Sequence, residues 1–323
     1  MTEKGFRNRI RIFAAALACM LVLSSCKGLE LENKTEQVEE YTRAQAMIFL
    51  ANERNRYQNA YSAGIWDIRV DETGQTFDSM LISAVKDYLQ TVKLLCMMAG
   101  ERGVSVTSRE RDLIRQMTDD YTAGLTAADI QYIGCSREDV QKMYTEYYTA
   151  CKMAKTLISR SQTDISDSEV KVIRIMQIGT ADVKKAKAIL KKLKIDGADF
   201  NSMASRYSEL DQIEVELKKG TAGDLIEQTA FSLEEGGISN ILCENDMYYI
   251  VKCVNGYDRT ATEERKKGLE TALNSKAFQE ELEPYRKAHN IVFFERFWDS
   301  VDFSAGEGST VSDFFDIYEN YAD

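Results

Sequence analysis

The chain has 323 residues, enough for two domains or for one domain interrupted by another. It is 44% hydrophobic and 29% charged, and its 41 basic and 52 acidic residues give a net charge of −11. This acidic balance argues against a nucleic acid partner. The single histidine, His289, and cysteines without ligand spacing argue against a metal site, and we expect no cofactor.

The N-terminal residues have the pattern of a secretory signal. Four basic residues precede IFAAALACMLVL, an apolar run of 12 residues that is too short for a bilayer, which needs about 20. The run ends in LSSC at residues 23–26, which resembles a bacterial lipobox; an ordinary signal peptide with a nearby cysteine is the alternative. We therefore expect a lipoprotein signal peptide over 1–25, a lipid anchor at Cys26, a tether over 26–34, and an extracytoplasmic protein held at the cell membrane.

Residues 35–163 are expected to form a helical domain. Apolar residues recur at i, i+3 and i+4 spacing over 77–96, and two further segments begin with the capping boxes Thr107/Glu110 and Ser136/Asp139. The polar stretch SRSQTDISDS that follows is typical of a linker.

A different pattern begins near residue 168. EVKVIRIMQI alternates like a strand, and ADVKKAKAILKKLK and DFNSMASRYS are amphipathic helices. QIEVEL predicts a strand, IEQTAFSL a short helix, and the residues up to 254 a hairpin. The region 168–256 is therefore predicted to have the order β-α-α-β-α-β-β.

The chain is then expected to return to the first domain. A helix followed by the apparent strand NIVFFERFW should pack back on it over 260–300, with Pro284 kinking or breaking the helix. The last residues, 301–323, hold six acidic residues and no basic ones. They predict a flexible acidic tail with a short helix at DFFDIYENY.

The second region resembles a parvulin-type prolyl isomerase domain. GADFNSMASRYSE is similar to a helix of that family, LKKG to the turn before its proline pocket, EQTAFSLEEGGIS to its last helix and turn, and YYIVKCV to its closing strand. With helical segments on both sides, the layout resembles PrsA- and SurA-like foldases, chaperones of secreted or envelope proteins. The resemblance implies an α+β protein, in which a mainly helical N- and C-terminal chaperone domain carries an inserted small antiparallel sheet covered by helices.

The family's active site is not retained in this sequence. Parvulins use two facing histidines, a Cys or Asp near them, and a Met and a Phe that hold the proline ring. Matching the motifs places other residues at these positions: Arg174 and Tyr249 for the histidines, Leu210 with its neighbour Asp211 for the Cys or Asp, and Ala222 and Ile226 for the Met and Phe.

Two interpretations of this degenerate site remain open. In one, Arg174, Asp211 and Tyr249 form a substitute polar cluster over a slot of Ala222, Ile226 and Phe231, and the protein is a prolyl isomerase of low activity. In the other, which we prefer, the domain is a binding or spacing platform, in which Arg174 pairs with Asp211 or packs on Tyr249.

The preferred function is that of a membrane-anchored foldase for unfolded or partly folded secreted polypeptides, acting alone or as a homodimer. A structural envelope lipoprotein that binds one folded partner is the third hypothesis.

Overall fold

The computed structural model describes residues 41–72, 74–159, 165–195, 197–289, 291, 293 and 295–322. The expected signal peptide, Cys26 and the tether lie outside these residues. In the described part of the chain, no helix combines the length and the apolar character that a membrane span needs. The chain divides into two compact units, of which the second ends at Asn274 and the first resumes at Ser275.

The first unit is helical and combines the described residues up to 159 with those from Ser275 onwards. Its helices are α1 (Arg43–Tyr61), α2 (Phe77–Glu101), α3 (Ser108–Gly124), α4 (Ala127–Ile133) and α5 (Arg137–Ser159), and, near the C-terminus, α11 (Glu295–Trp298) and α12 (Phe314–Ala322). The predicted capping boxes at Thr107 and Ser136 are confirmed, because each hydroxyl accepts a backbone N–H and each partner carboxylate accepts in return.

The core of the first unit is rich in aromatic side chains from both parts of the chain. Phe49, Tyr121, Tyr144, Tyr147 and Phe314 are all fully buried. The ring of Phe314 stacks on Tyr144 with a centroid distance of 4.1 Å, and its edge contacts Tyr121 and Tyr147. The C-terminal segment is therefore part of this core.

The prediction of a flexible tail over 301–323 is wrong, although the predicted short helix is present as α12. Phe303, Val311, Phe314 and Tyr318 of this segment are buried. Its acidic side chains dominate the composition, but its apolar side chains recur at helical spacing and pack inward.

Two other expectations for the C-terminal region also need correction. The run NIVFFERFW does not form a strand in its described residues: Glu295–Trp298 is a helical turn, while Ile291 and Phe293 are buried. A short apolar run does not distinguish strand from helix. The long helix α10 (Arg259–Ala288) continues through Pro284 without a break, because the proline removes only one of its backbone donors.

The second unit has the predicted order of elements. A single turn, α6 (Asp167–Val170), lies near its start and precedes the first strand. The elements that follow are β1 (Val172–Thr180), α7 (Val183–Leu193), α8 (Phe200–Tyr207), β2 (Glu214–Lys218), α9 (Asp224–Ser232), β3 (Leu242–Glu244) and β4 (Met247–Asn255). The strands form one antiparallel sheet in the order β2-β1-β4-β3. The α+β fold expected from the sequence is confirmed.

Helices cover both faces of this sheet. On the α9 face, Ile173, Ile175 and Val251 of the strands pack with Ile226 and Ala230 of α9. On the α7/α8 face, Ile178 and Ile250 of the strands pack with side chains of the two helices, namely Ile189, Leu193, Phe200 and Ala204. Neighbouring residues of one strand point to opposite faces, so each strand contributes to both clusters.

Candidate functional site

The α9 face brings together four of the residues singled out in the sequence. Ala222, Ile226, Phe231 and Tyr249 belong to one apolar cluster with the strand residues of that face. Ile226 is buried on α9, and the other three are partly buried. These four residues therefore take part in the packing between α9 and the sheet.

Leu210 lies over Gly179 of β1. Gly179 of β1 lies directly opposite Tyr249 of β4 in the strand register. A Cβ atom on Gly179 would lie 2.7 Å from Cγ of Leu210, so the leucine occupies the space above the glycine. The backbone N–H of Glu209 donates to the carbonyl of Gly179 at 2.8 Å and fixes the loop there. Leu210 is thus held on the same face as Tyr249.

Arg174 lies on the opposite face of the sheet. It stands between Ile173 and Ile175, which both point into the α9 cluster, so its own side chain points toward the α7/α8 face. Its Nε donates to Oδ2 of Asp258 at 2.6 Å, and its Nη2 donates to Oε1 of Glu216 at 3.3 Å. The hydrogen bond from Arg174 lowers the pKa of the Asp258 carboxyl below its ordinary value.

The substitute polar cluster considered in the sequence is not formed. Arg174 pairs with Asp258 and Glu216 and not with Asp211, whose side chain is exposed. Arg174 and Tyr249 cannot meet, because the sheet separates their side chains.

The structure instead places Gln177 near Tyr249, a residue that the sequence comparison missed. Gln177 is opposite Val251 on β4, two residues from Tyr249, and therefore on the same face. Its Nε2 donates to the backbone carbonyl of Gln212 at 3.0 Å. The alternation of β1 could have predicted this position, because residues 173, 175 and 177 of one strand share a face of the sheet.

This site offers apolar contact with few polar groups. The partly buried side chains on this face include the phenol of Tyr249 and the amide of Gln177. His289 is in the first unit, where its ring stacks on Tyr285 with a centroid distance of 4.0 Å. Among the described residues, no group of three His, Cys, Asp or Glu side chains could hold a metal ion. The arrangement suits the binding of an apolar peptide segment.

Curated foldases resemble the chain in sequence. It is 24% identical over 171 residues to foldase protein PrsA of Streptococcus mutans, covering 48% of this chain and 49% of the relative. It is 25% identical over 142 residues to foldase protein PrsA of Streptococcus agalactiae, covering 41% and 46%. The chain thus matches about half the length of these relatives, and no family model matches it. The resemblance to PrsA-like foldases is confirmed at this level.

Solved structures of foldases and chaperones align with much of the chain, but at low scores. PrsA from Bacillus cereus aligns with 78% of this chain and 98% of its own, at 20% identity and a TM-score of 0.33. A SurA-like chaperone structure from Campylobacter jejuni, from work on PEB4 and Cj1289, aligns with 72% of this chain and 94% of its own. The identity is 12% and the TM-score is 0.28. The similarity to PrsA therefore rests on the sequences.

Proposed function

We propose that this chain, similar in sequence to PrsA foldases, is an extracytoplasmic foldase that a lipid on Cys26 anchors to the membrane. It binds unfolded segments of secreted polypeptides, and its parvulin-like unit binds peptide without catalysing isomerisation. One observation carries this proposal. The α9 face keeps an apolar cluster around Tyr249, whereas Arg174, at the position of the family's first histidine, points to the other face.

The chemistry of proline isomerisation supports the binding function. Rotation about an X-Pro bond faces a barrier of roughly 18–20 kcal/mol. A catalyst must stabilise the twisted amide more than the planar one, whereas contacts made equally with both forms only bind. An apolar cluster contacts the proline ring alike in both forms. The α9 face therefore gives affinity without a matching gain in rate.

The first unit supplies exposed apolar side chains for contact with unfolded chains. Tyr61 at the end of α1 is 66% exposed, and Ile68 in the loop after it is 55% exposed. The backbone bridge between Arg69 and Thr76 holds this loop. We assign transient contact with unfolded segments to this surface.

Suppression of aggregation tests the proposal. The mature chain with Cys26→Ser is added to a chemically unfolded reporter protein as it is diluted into buffer, and light scattering is recorded. We expect wild type to lower the scattering and Tyr61→Ser/Ile68→Ser to lose most of this effect. The matched control is Leu269→Ser/Leu273→Ser on α10, at side chains that are 40% and 42% exposed. Wild type without any effect would instead favour the structural lipoprotein.

A second candidate, an isomerase of low activity, is favoured by the packing of Leu210 on Gly179. This contact lies in register with Tyr249, whose phenol can donate a hydrogen bond to a peptide. An isomerase assay distinguishes the two functions and is described at the end of the Discussion.

A further inference from the structure

The six lysines of and just after α7 fall into two groups. Lys185 and Lys192 are used by the fold. Nζ of Lys185 donates to Oε1 of Glu209 at 2.6 Å. Nζ of Lys192 lies 3.3 Å from the hydroxyl of Tyr207 and 5.0 Å from the centroid of its ring.

The other four lysines have no such role. Lys184, Lys187, Lys191 and Lys194 are exposed, and their ammonium groups make no ion pair or hydrogen bond within the described residues. At about 100° per residue, their positions fall within an arc of about 80°. They form a single stripe, opposite the buried side chains that join α7 to the sheet. We call these four residues the lysine stripe.

Repulsion within the lysine stripe opposes the helix that carries it, and the helix dipole favours only the C-terminal end of the stripe, at Lys191 and Lys194. Like charges three or four residues apart destabilise a helix, and the stripe contains three such pairs. Lys184 lies in the first turn, where the helix dipole disfavours a cation. No acidic residue lies between Val183 and Ile195, although the chain has 52 acidic residues. Charges of either sign would keep an exposed helix face soluble, so solubility does not explain why all of these charges are positive.

An exposed apolar residue stands at the end of the stripe. Ile195 lies two residues after the end of α7 and is 65% exposed. Lysines beside an exposed apolar side chain are the pattern of helices that lie on acidic membrane surfaces. We propose that the lysine stripe and Ile195 dock on the anionic phospholipid headgroups of a bilayer. This inference rests on the lipid anchor at Cys26 that belongs to the proposed function.

Charge and chain length favour a bilayer as the partner. The chain as a whole carries a net charge of −11, whereas the lysine stripe is a local cluster of positive charge. An acidic surface would therefore attract the stripe and repel the rest of the chain. Each lysine near such a surface raises binding roughly fivefold, and four together still give weak binding. An anchor at Cys26 removes this limit by holding the chain at the bilayer, and 14 residues lie between Cys26 and Tyr41.

Vesicle partitioning tests the inference on the mature chain with Cys26→Ser, which carries no lipid. Vesicles of equal parts phosphatidylglycerol and phosphatidylcholine are compared with pure phosphatidylcholine at low and high salt. We expect at least tenfold stronger partitioning into the acidic vesicles at low salt, and its loss at high salt. Changing the four stripe lysines to Gln should abolish it, and Ile195→Ser should weaken it severalfold at low salt.

The matched control removes the same charge from four exposed lysines elsewhere, by changes to Gln at Lys155, Lys219, Lys267 and Lys287. This control should partition like wild type. Equal loss in both variants would overturn the inference, because net charge alone would then explain binding. A stripe variant that binds vesicles normally but no longer binds polyglutamate would also overturn the inference. The partner of the stripe would then be an acidic polypeptide. Aggregation suppression without lipid is measured in parallel, so failure of the foldase function is seen separately.

Discussion

At the scale of single residues, one buried carboxylate holds the C-terminal segment on the N-terminal helices. Oδ1 of Asp129 accepts hydrogen bonds from the Ser309 hydroxyl at 2.8 Å, the Thr310 N–H at 2.7 Å and the Val311 N–H at 3.1 Å. Its Oδ2 accepts from Thr126. Burial opposes ionisation, but these hydrogen bonds outweigh it and lower the pKa of Asp129 to about 2.

Asp129→Asn should lower the free energy of unfolding by about 2 kcal/mol at neutral pH, because an amide cannot accept all of these hydrogen bonds. The folded pKa of Asp129 lies below the ordinary value of about 3.9, so its contribution is complete above that pH and disappears as pH falls toward 2. Urea unfolding of wild type and variant should therefore converge over that interval. A constant difference would contradict this account, and Glu138→Gln at an exposed position is the control.

Tyr249 and Arg174 should differ sharply in their effect on peptide binding. Tyr249→Ala removes an aromatic side chain from the α9 cluster and should weaken binding of an apolar proline-containing peptide by about 1–2 kcal/mol. Arg174→Ala should leave binding unchanged, because its side chain lies across the sheet. The measurement is a fluorescence titration with labelled peptide. Equal losses in the two variants would show that both side chains contact the peptide.

The sequence allowed the apolar part of this site to be predicted, but not its polar part. Ala222, Ile226 and Phe231, which the sequence suggested as an apolar slot, belong to one apolar cluster. Arg174 was matched through a short strand motif, and a shift of one residue along a strand exchanges the two faces of the sheet. Such a shift has little effect on a sequence match, yet it determines which side chain meets Tyr249.

At the scale of elements, α12 closes the core of the first unit. Phe314 packs among Phe49, Tyr121, Tyr144 and Tyr147, and its N–H donates to Oδ1 of Asn52 at 3.0 Å. The segment is therefore anchored by ring packing and by a buried hydrogen bond.

Phe314→Ala should destabilise the protein by about 3–5 kcal/mol, because it leaves a cavity among rings that cannot collapse into it. Thermal and urea unfolding followed by circular dichroism measure this change. Tyr321→Ala, at a partly exposed position of the same helix, is the control and should cost far less. A loss below about 1 kcal/mol for Phe314→Ala would mean that the C-terminal segment is dispensable.

Elements with strong local signals were predictable. The periodicity of α2 and the capping boxes before α3 and α5 identify these helices, and the alternation of β1 identifies a strand. The C-terminal region was not predictable in the same way. Its acidic composition suggested disorder, although Phe314, Ile317, Tyr318 and Tyr321 already recur at helical spacing. This spacing alone does not predict a buried helix. The helix is buried because its apolar side chains fill the space between the N-terminal helices.

At the scale of the whole molecule, the chain combines a helical unit built from its two ends with an inserted α+β unit. The inserted unit has one sheet with helices on both faces, and its α9 face carries an apolar cluster with Tyr249 at its margin, whereas Arg174 lies on the other face. Binding of unfolded segments needs exposed apolar side chains, whereas rate enhancement needs groups that favour the twisted amide. The central claim is that the unit binds peptide without catalysis.

A protease-coupled isomerisation assay with a proline tetrapeptide tests this claim most directly, with protein in excess over peptide. We predict that the rate constant stays at its uncatalysed value, corresponding to tens of seconds or longer, in the same preparation that suppresses aggregation. An acceleration of tenfold or more that is lost in Tyr249→Phe and kept in Arg174→Ala would contradict the claim and identify the protein as an isomerase.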